Sequence, residues 1–267
     1  MRQHRGLVLC ILVALFLTGC GSPFEGLKRS TSNASRLDAA DRMLAGGKVG
    51  RAVGAYRRVS SSNRGDFNLH VRIAETLYAA AQYEHAVSFF NLAAEIRPAN
   101  RRRGTVLDDN RRDSRVYSRI GDCWYVLGRV SDAENAYRRA VTLDRNNGWA
   151  YNNWGYMYAD LDIKPKKALA LCLHAERILP KEGAVVDSVG WCYYRLGNIR
   201  EARNKLLQAV ELMPNEPDVR YHLGVVHDAL GDRKSARIEY KKTLKLDHSR
   251  KDVAALLNNG TVDRSKK

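Results

Sequence analysis

Apolar and small positions recur along this chain at helical spacing. In the stretch 114–147, Tyr117, Ile120, Gly121 and Trp124 fall at i, i+3, i+4 and i+7, which is one face of a helix. After Gly128, the residues Ala133, Tyr137 and Ala140 mark one face of a second helix. Small residues at Gly121, Ala133 and Ala140 let the two helices approach closely, and the aromatic rings fill the space between them. A lone hairpin of this kind cannot bury its apolar face, so it needs neighbours.

The neighbours are written in the same pattern at a period of 34 residues. In 33–66 the fit is loose: Met43, Gly47, Ala52 and Tyr56 agree, but Arg36 stands where a large apolar residue is expected. A divergent first repeat is what a water-facing end requires. The stretch 67–100 carries Ile73, Ala74, Leu77, Ala86, Phe90 and Ala93, with Pro98 to stop the helix. The register then breaks at 101–113, RRRGTVLDDNRRD, which reads as a basic insertion loop. Beyond 114–147 come 148–182 with Trp154, Gly155 and an extra residue near Pro165, 183–216 with Val189, Gly190 and Leu206, and 217–250 with Leu223, Gly224 and Tyr240. A short capping helix at 251–259 and an unstructured tail to 267 complete the expectation. An internal period of this length means an all-α solenoid of about six hairpins, two in 33–100 and four in 114–250.

The N-terminus changes where this array is expected to sit. Arg2 and Arg5 precede an apolar run at 7–17 that is too short to span a bilayer and has the make-up of a secretory signal. It ends in Leu17-Thr18-Gly19-Cys20, which resembles the bacterial lipobox. That resemblance implies cleavage after 1–19, acylation of Cys20 and a flexible tether over 20–32. Gly21, in place of an inner-membrane-retaining Asp, points by the same resemblance to the periplasmic face of the outer membrane. The formal charge of +16 favours anionic partners, and an exported location removes nucleic acid from that set.

The residues at 117, 120, 121, 124, 133, 137 and 140 are those at which a tetratricopeptide repeat places its signature, and the chain resembles that family over nearly all of its exported length. In the family, the first helix of each hairpin lines a concave groove. Carried over by position, the resemblance assigns to a partner-binding groove Tyr125, Trp149, Asn152, Asn153, Tyr156, Trp191, Tyr194, Arg195 and Tyr221. Six of these are aromatic, which an ordinary solvated face would not carry. The basic set that clamps a free C-terminal carboxylate is incomplete, with Asp122 where that clamp has Asn, so such a ligand is not expected. Signal, lipobox and repeats together resemble the lipoproteins that assist secretin and tight-adherence pilus assembly. The alternatives are an adaptor for cell-wall hydrolases or synthases, and glycan or anionic-lipid binding through Arg101, Arg102, Arg103, Arg111 and Arg112.

No local motif for catalysis, metal or cofactor is visible, so the expectation is a protein-binding scaffold with no enzymatic role, no cofactor and no small-molecule substrate. Cys123, Cys172 and Cys192 read as small buried hydrophobes. Cys172 and Cys192 lie on consecutive helices, which leaves a disulfide between them as the alternative.

Overall fold

The structure is a computed structural model that describes residues 27–96 and 105–259. Among these residues there are thirteen α-helices and no strand. The chain divides into two compact units, Met1–Asp144 and Arg145–Lys267. The signal segment, Cys20 and Arg101 to Arg103 lie outside the described residues.

In the first unit three hairpins follow one another: α1 (Leu27–Ala45) with α2 (Val49–Ser61), α3 (Phe67–Ala79) with α4 (Tyr83–Glu95), and α5 (Thr105–Val126) with α6 (Val130–Leu143). Their apolar faces merge into one cluster that includes Leu37, Tyr56, Ile73, Leu77, Phe89, Phe90 and Ile120. Tyr56 meets Phe89 edge-on with ring centroids 6.4 Å apart, an arrangement that the ring quadrupoles favour. The second unit repeats the scheme with α7 (Gly148–Asp160) and α8 (Pro165–Ile178), α9 (Gly183–Arg195) and α10 (Ile199–Leu212), and α11 (Pro217–Ala229) and α12 (Arg233–Leu246). The short α13 (Lys251–Asn259) packs on α12, where the capping helix is expected.

A shared device closes all six hairpins. Two residues past the first helix, the backbone turns left-handed at Gly47, Ala81, Gly128, Asp162, Gly197 and Gly231. In each turn the amide of that residue and the next reach back to carbonyls of the last helical turn, as in Gly128 N to Tyr125 O at 2.9 Å and Arg129 N to Trp124 O at 2.8 Å. This pairing satisfies carbonyls that the helix end leaves open. The extra residue foreseen near Pro165 is Lys164, which extends the α7–α8 turn and also has positive φ. Inside the hairpins, a glycine on the first helix presses on the second: a Cβ at Gly121 would lie 2.5 Å from the Tyr137 ring, at Gly155 2.5 Å from Cys172 Sγ, and at Gly224 2.6 Å from the Tyr240 ring.

Two segments differ from the sequence expectation. Residues 105–113, read as part of a basic loop, are the first turns of α5. Asp108 and Arg111 pair at i,i+3 on its exposed side, and Asp109 and Arg112 do so on its packed side, so the charge pattern suits a helix as well as a loop. The stretch 27–32, read as tether, is the start of α1. No glycine or proline interrupts the sequence from Leu27 to Ala45, and the helix runs back through it.

Candidate partner-binding face

The first helices of the second unit carry the side chains assigned to a groove. Asn147 caps α7 by accepting from Ala150 N at 3.0 Å, which fixes the register of Trp149, Asn152, Asn153 and Tyr156. Pro217 occupies the first turn of α11, where its missing N–H removes nothing from the helix. Helix α9 packs against both α7 and α11, so residues on its flanks meet side chains from each.

Trp191 is the centre of what results. Its ring stacks with Tyr194 at 4.8 Å and with His222 at 4.2 Å, and it is 6% exposed. His222 is buried, with Nδ1 2.9 Å from both carboxylate oxygens of Asp187. Burial disfavours a charged imidazole, but Asp187, followed by Asp218 and Asp160, outweighs it and raises the His222 pKa above its ordinary value. Arg195 lies 5.0 Å from the Trp191 ring centre and donates through Nη2 to the Asp160 carbonyl at 3.0 Å, tying α9 to α7. Beyond His222, Arg250 sits over the Tyr221 ring at 4.5 Å and donates to Asp218 at 2.6 Å and Asp252 at 2.9 Å. Burial raises the pKa of Asp218 and, with the nearby Asp218 charge, lifts that of Glu216 to about 7.

The structure sorts the nine assigned residues into two groups. Trp149, Asn153, Tyr194, Arg195 and Tyr221 are half-buried and present surface. Tyr156, Asn152 and Trp191 are buried, at 8%, 5% and 6% exposure, and so is Tyr125 of the first unit at 6%. For the three aromatic residues among them, Tyr125, Tyr156 and Trp191, the expectation of an exposed aromatic face is corrected. Position within a first helix shows which way a side chain starts, but a neighbouring first helix covers it when its rings are large, as His222 of α11 covers Trp191. Three buried polar atoms here, Asn152 Oδ1, Trp191 Nε1 and Arg195 Nε, have no hydrogen-bond partner. Asn152 itself donates to Asn153 Oδ1 at 3.3 Å.

Arg112, assigned to a basic contact, is also corrected. Its guanidinium lies 4.0 Å from the Phe67 ring centre and donates to the Ile96 carbonyl at 3.2 Å and to Asp113 at 3.2 Å, so it holds α5 against the preceding hairpin. Arg111 remains exposed and pairs only loosely with Asp108, at 3.9 Å.

A series of ion pairs joining successive first helices escaped the sequence reading. In the first unit Arg72 donates to Asp41 at 3.0 Å, and Arg119 to Glu75 at 3.0 Å while lying 3.6 Å from Asp122. In the second, Asp187 to His222 joins α9 to α11, and Asp218 ties α11 to Arg250 just before α13. The signal was available: the partners Asp41 and Arg72, Asp187 and His222, and Asp218 and Arg250 are 31, 35 and 32 residues apart, close to one repeat. Among the described residues no group of three or more His, Cys, Asp or Glu is placed to hold a metal ion, and no helix is long and apolar enough to cross a membrane.

Comparison with known proteins gives these hairpins a family context. Residues 190–231 match the family model described as TPR repeat, and residues 217–249 the one described as tetratricopeptide repeat. The TPR repeat-containing protein PA4667 of Pseudomonas aeruginosa is 33% identical over 95 residues, which are 36% of this chain and 16% of that protein's length. Among solved structures, a thermophilic TPR protein of Thermus thermophilus, TTC0263, superposes with a TM-score of 0.59 at 21% identity, covering 73% of this chain and 98% of its own. The APC/C hetero-tetramer Cut9-Hcn1 gives a TM-score of 0.67 at 15% identity over 88% of this chain and 44% of the other. MamA of Desulfovibrio magneticus gives 0.52 at 19% identity over 69% and 96%. At such identities the likeness is one of fold. Residues 190–249 thus match tetratricopeptide repeats within an all-helical array of that fold, one suited to protein–protein interaction.

Proposed function

We propose that these tetratricopeptide repeats form a lipid-anchored scaffold in the bacterial envelope that captures a segment of another envelope protein on the first-helix face of the second unit. The observation that carries the reading is the partly exposed set Tyr194, Arg195 and Tyr221 held on a buried base of Trp191, His222 and Asp187, with Asn153 and Trp149 also partly exposed on α7. Aromatic side chains of low conformational entropy next to an arginine are the composition of protein-binding hot spots. The stacked base holds Tyr194 before a partner arrives, which lowers the ordering loss on binding. The scaffold positions its partner and performs no chemistry of its own.

The location rests on the resemblance of residues 17–20 to a lipobox, with acyl chains on Cys20 holding the chain at the outer membrane. A component of a pilus or secretin assembly is the first partner to look for. The engagement of Arg112 within the fold weakens the rival reading in which 101–113 is a basic lipid- or glycan-binding loop.

Two measurements test the proposal. Affinity capture from membranes of the producing organism, with the full chain and a Tyr194→Ala/Asn153→Ala variant side by side, is expected to recover an envelope protein with the first and lose it with the second at unchanged helicity. Recovery of the same partners by both refutes the face. Separately, Cys20→Ala is expected to move the chain from the membrane pellet to the soluble fraction; a chain that still sediments with membranes refutes the acyl anchor.

A further inference from the structure

At the contact of α8 with α9, two sulfur atoms face each other. Cys192 Sγ stands 3.5 Å from Cys172 Sγ, and both residues are wholly buried. The other polar neighbour of Cys172 Sγ is distant, the Asn152 carbonyl at 4.0 Å. Close approach asks for a small side chain at residue 172, since a Cβ at Gly155 would also lie 2.9 Å from the Ala168 carbonyl oxygen and 3.1 Å from Cys172 N, but alanine would meet that need. What cysteine adds there is a sulfur, and the sulfur is matched by a second one on the next helix.

We propose that Cys172 and Cys192 are a disulfide-forming pair that staples the fourth hairpin to the fifth. A disulfide needs its sulfurs about 2.0 Å apart, so the pair must close by roughly 1.5 Å, within reach of small side-chain rotations on two helices already in contact. The oxidant is a disulfide of a small molecule or of a thiol-exchange protein. The thiolate of one cysteine attacks a sulfur of that disulfide and expels one thiolate, leaving a mixed disulfide. The second cysteine attacks the mixed disulfide and expels the other thiolate. Two protein thiols are oxidised, one external disulfide is reduced to two thiols, and the two protons lost by the cysteines end on the leaving groups.

Once the two hairpins are packed, no external disulfide can reach either sulfur. The bond therefore forms while the hairpins are still assembling, and the packed reduced pair is protected. Cys123 provides an internal contrast. It is equally buried, but it belongs to the first unit and takes no part in the pair.

The test uses the full chain, reduced in denaturant and refolded with a mixture of reduced and oxidised glutathione. After alkylation and trypsin digestion, the expected product is the peptide 168–177 joined to 182–195, with the Cys123 peptide 120–129 unlinked. Reductant is expected to lower the melting temperature of the refolded chain by several degrees and to leave those of Cys172→Ala and Cys192→Ala unchanged. Folded reduced chain exposed to the same mixture is expected to link at least tenfold more slowly. Alkylated or singly glutathionylated Cys172 and Cys192 in refolded chain overturn the proposal, as does linkage of Cys123 to either at comparable yield. The same digest on chain alkylated at the moment of cell lysis, without refolding, reads the pair in its native compartment. The inference does not depend on the partner-binding face, whose capture assay reads a different variant.

Discussion

The close contact between α7 and α8 sets up a competition whose sign can be worked out. Gly155→Ala improves intrinsic helix propensity by about 1 kcal/mol. Against this, the new Cβ would lie 2.5 Å from Cys172 Sγ, 2.9 Å from the Ala168 carbonyl oxygen and 3.1 Å from Cys172 N. Two of these three atoms are backbone and cannot rotate away, so the helices must move apart. Overpacking of a tight core costs about 1–3 kcal/mol, and rigid neighbours put this site in the upper part of that range. The net expectation is a loss of about 1–2 kcal/mol. Gly54→Ala, in the interior of α2, is the control: its Cβ would meet only the flexible Arg58 Nη1 at 3.7 Å, so the propensity gain stands and stability rises by up to about 1 kcal/mol. Urea unfolding followed by circular dichroism, with tryptophan fluorescence to report mainly on the second unit through Trp149, Trp154 and Trp191, reads both. With a urea dependence of about 2 kcal/mol per molar, Gly155→Ala should lower the midpoint by about 0.5–1 M and Gly54→Ala should raise it. If Gly155→Ala unfolds at or above the wild-type midpoint, close approach does not govern this hairpin.

Trp191→Ala should cost about 3–5 kcal/mol as a buried aromatic, whereas Tyr194→Ala should cost far less, so a partner-capture result is readable only from the latter; comparable melting temperatures for the two would contradict the placement of Trp191 as a base. Tyr137→Phe removes the hydroxyl that donates to Asp122 at 2.8 Å in a buried site and should lower stability by about 2 kcal/mol; an unchanged midpoint would show that this bond contributes nothing net. Ala81 adopts φ +57 in a turn where four other hairpins use glycine, so Ala81→Gly should stabilise by about 0.5–1 kcal/mol, measured as a rise in melting temperature. The His222 pKa is raised in the folded state, so its contribution is complete below the ordinary histidine value near 6.5 and is lost as pH rises through the folded value. The raised carboxyls of Glu216 and Asp218 act in the same direction, since the folded state holds their protons more tightly. The second unit should therefore unfold at lower urea at pH 8.5 than at pH 6, with a smaller difference in His222→Gln; a midpoint that rises across this interval would reverse the assignment.

Much of this architecture was legible because it repeats. Gly121, Gly155, Gly190 and Gly224 mark the first helices, and Gly47, Gly128, Gly197 and Gly231 mark the turns. Where a turn is made by Ala81 or Asp162 instead, only the period shows it. Residues 105–113 were misread because surface charge carries no apolar periodicity, and a solvated helix and a loop then look alike. The candidate face was half legible. Helical position put Tyr194, Arg195 and Tyr221 at sites that are partly exposed, but whether Trp191 and Tyr156 reach solvent depends on side chains one repeat away. The His222–Asp187 pair needed comparison across repeats, since neither residue stands out within its own.

The glycine contacts inside the hairpins also bear on how such a chain can be rearranged. In the third hairpin Gly121 meets Tyr137 and in the sixth Gly224 meets Tyr240, and a Cβ on either glycine would reach its tyrosine ring at nearly the same distance, 2.5 and 2.6 Å. The two hairpins are thus gauged alike internally and differ in what they show to their neighbours. The fourth, where Gly155 meets a cysteine, has a different gauge. Hairpin transplants within this chain should follow that measure: the second helices α6 and α12 are spare parts for one another, and α8 is not.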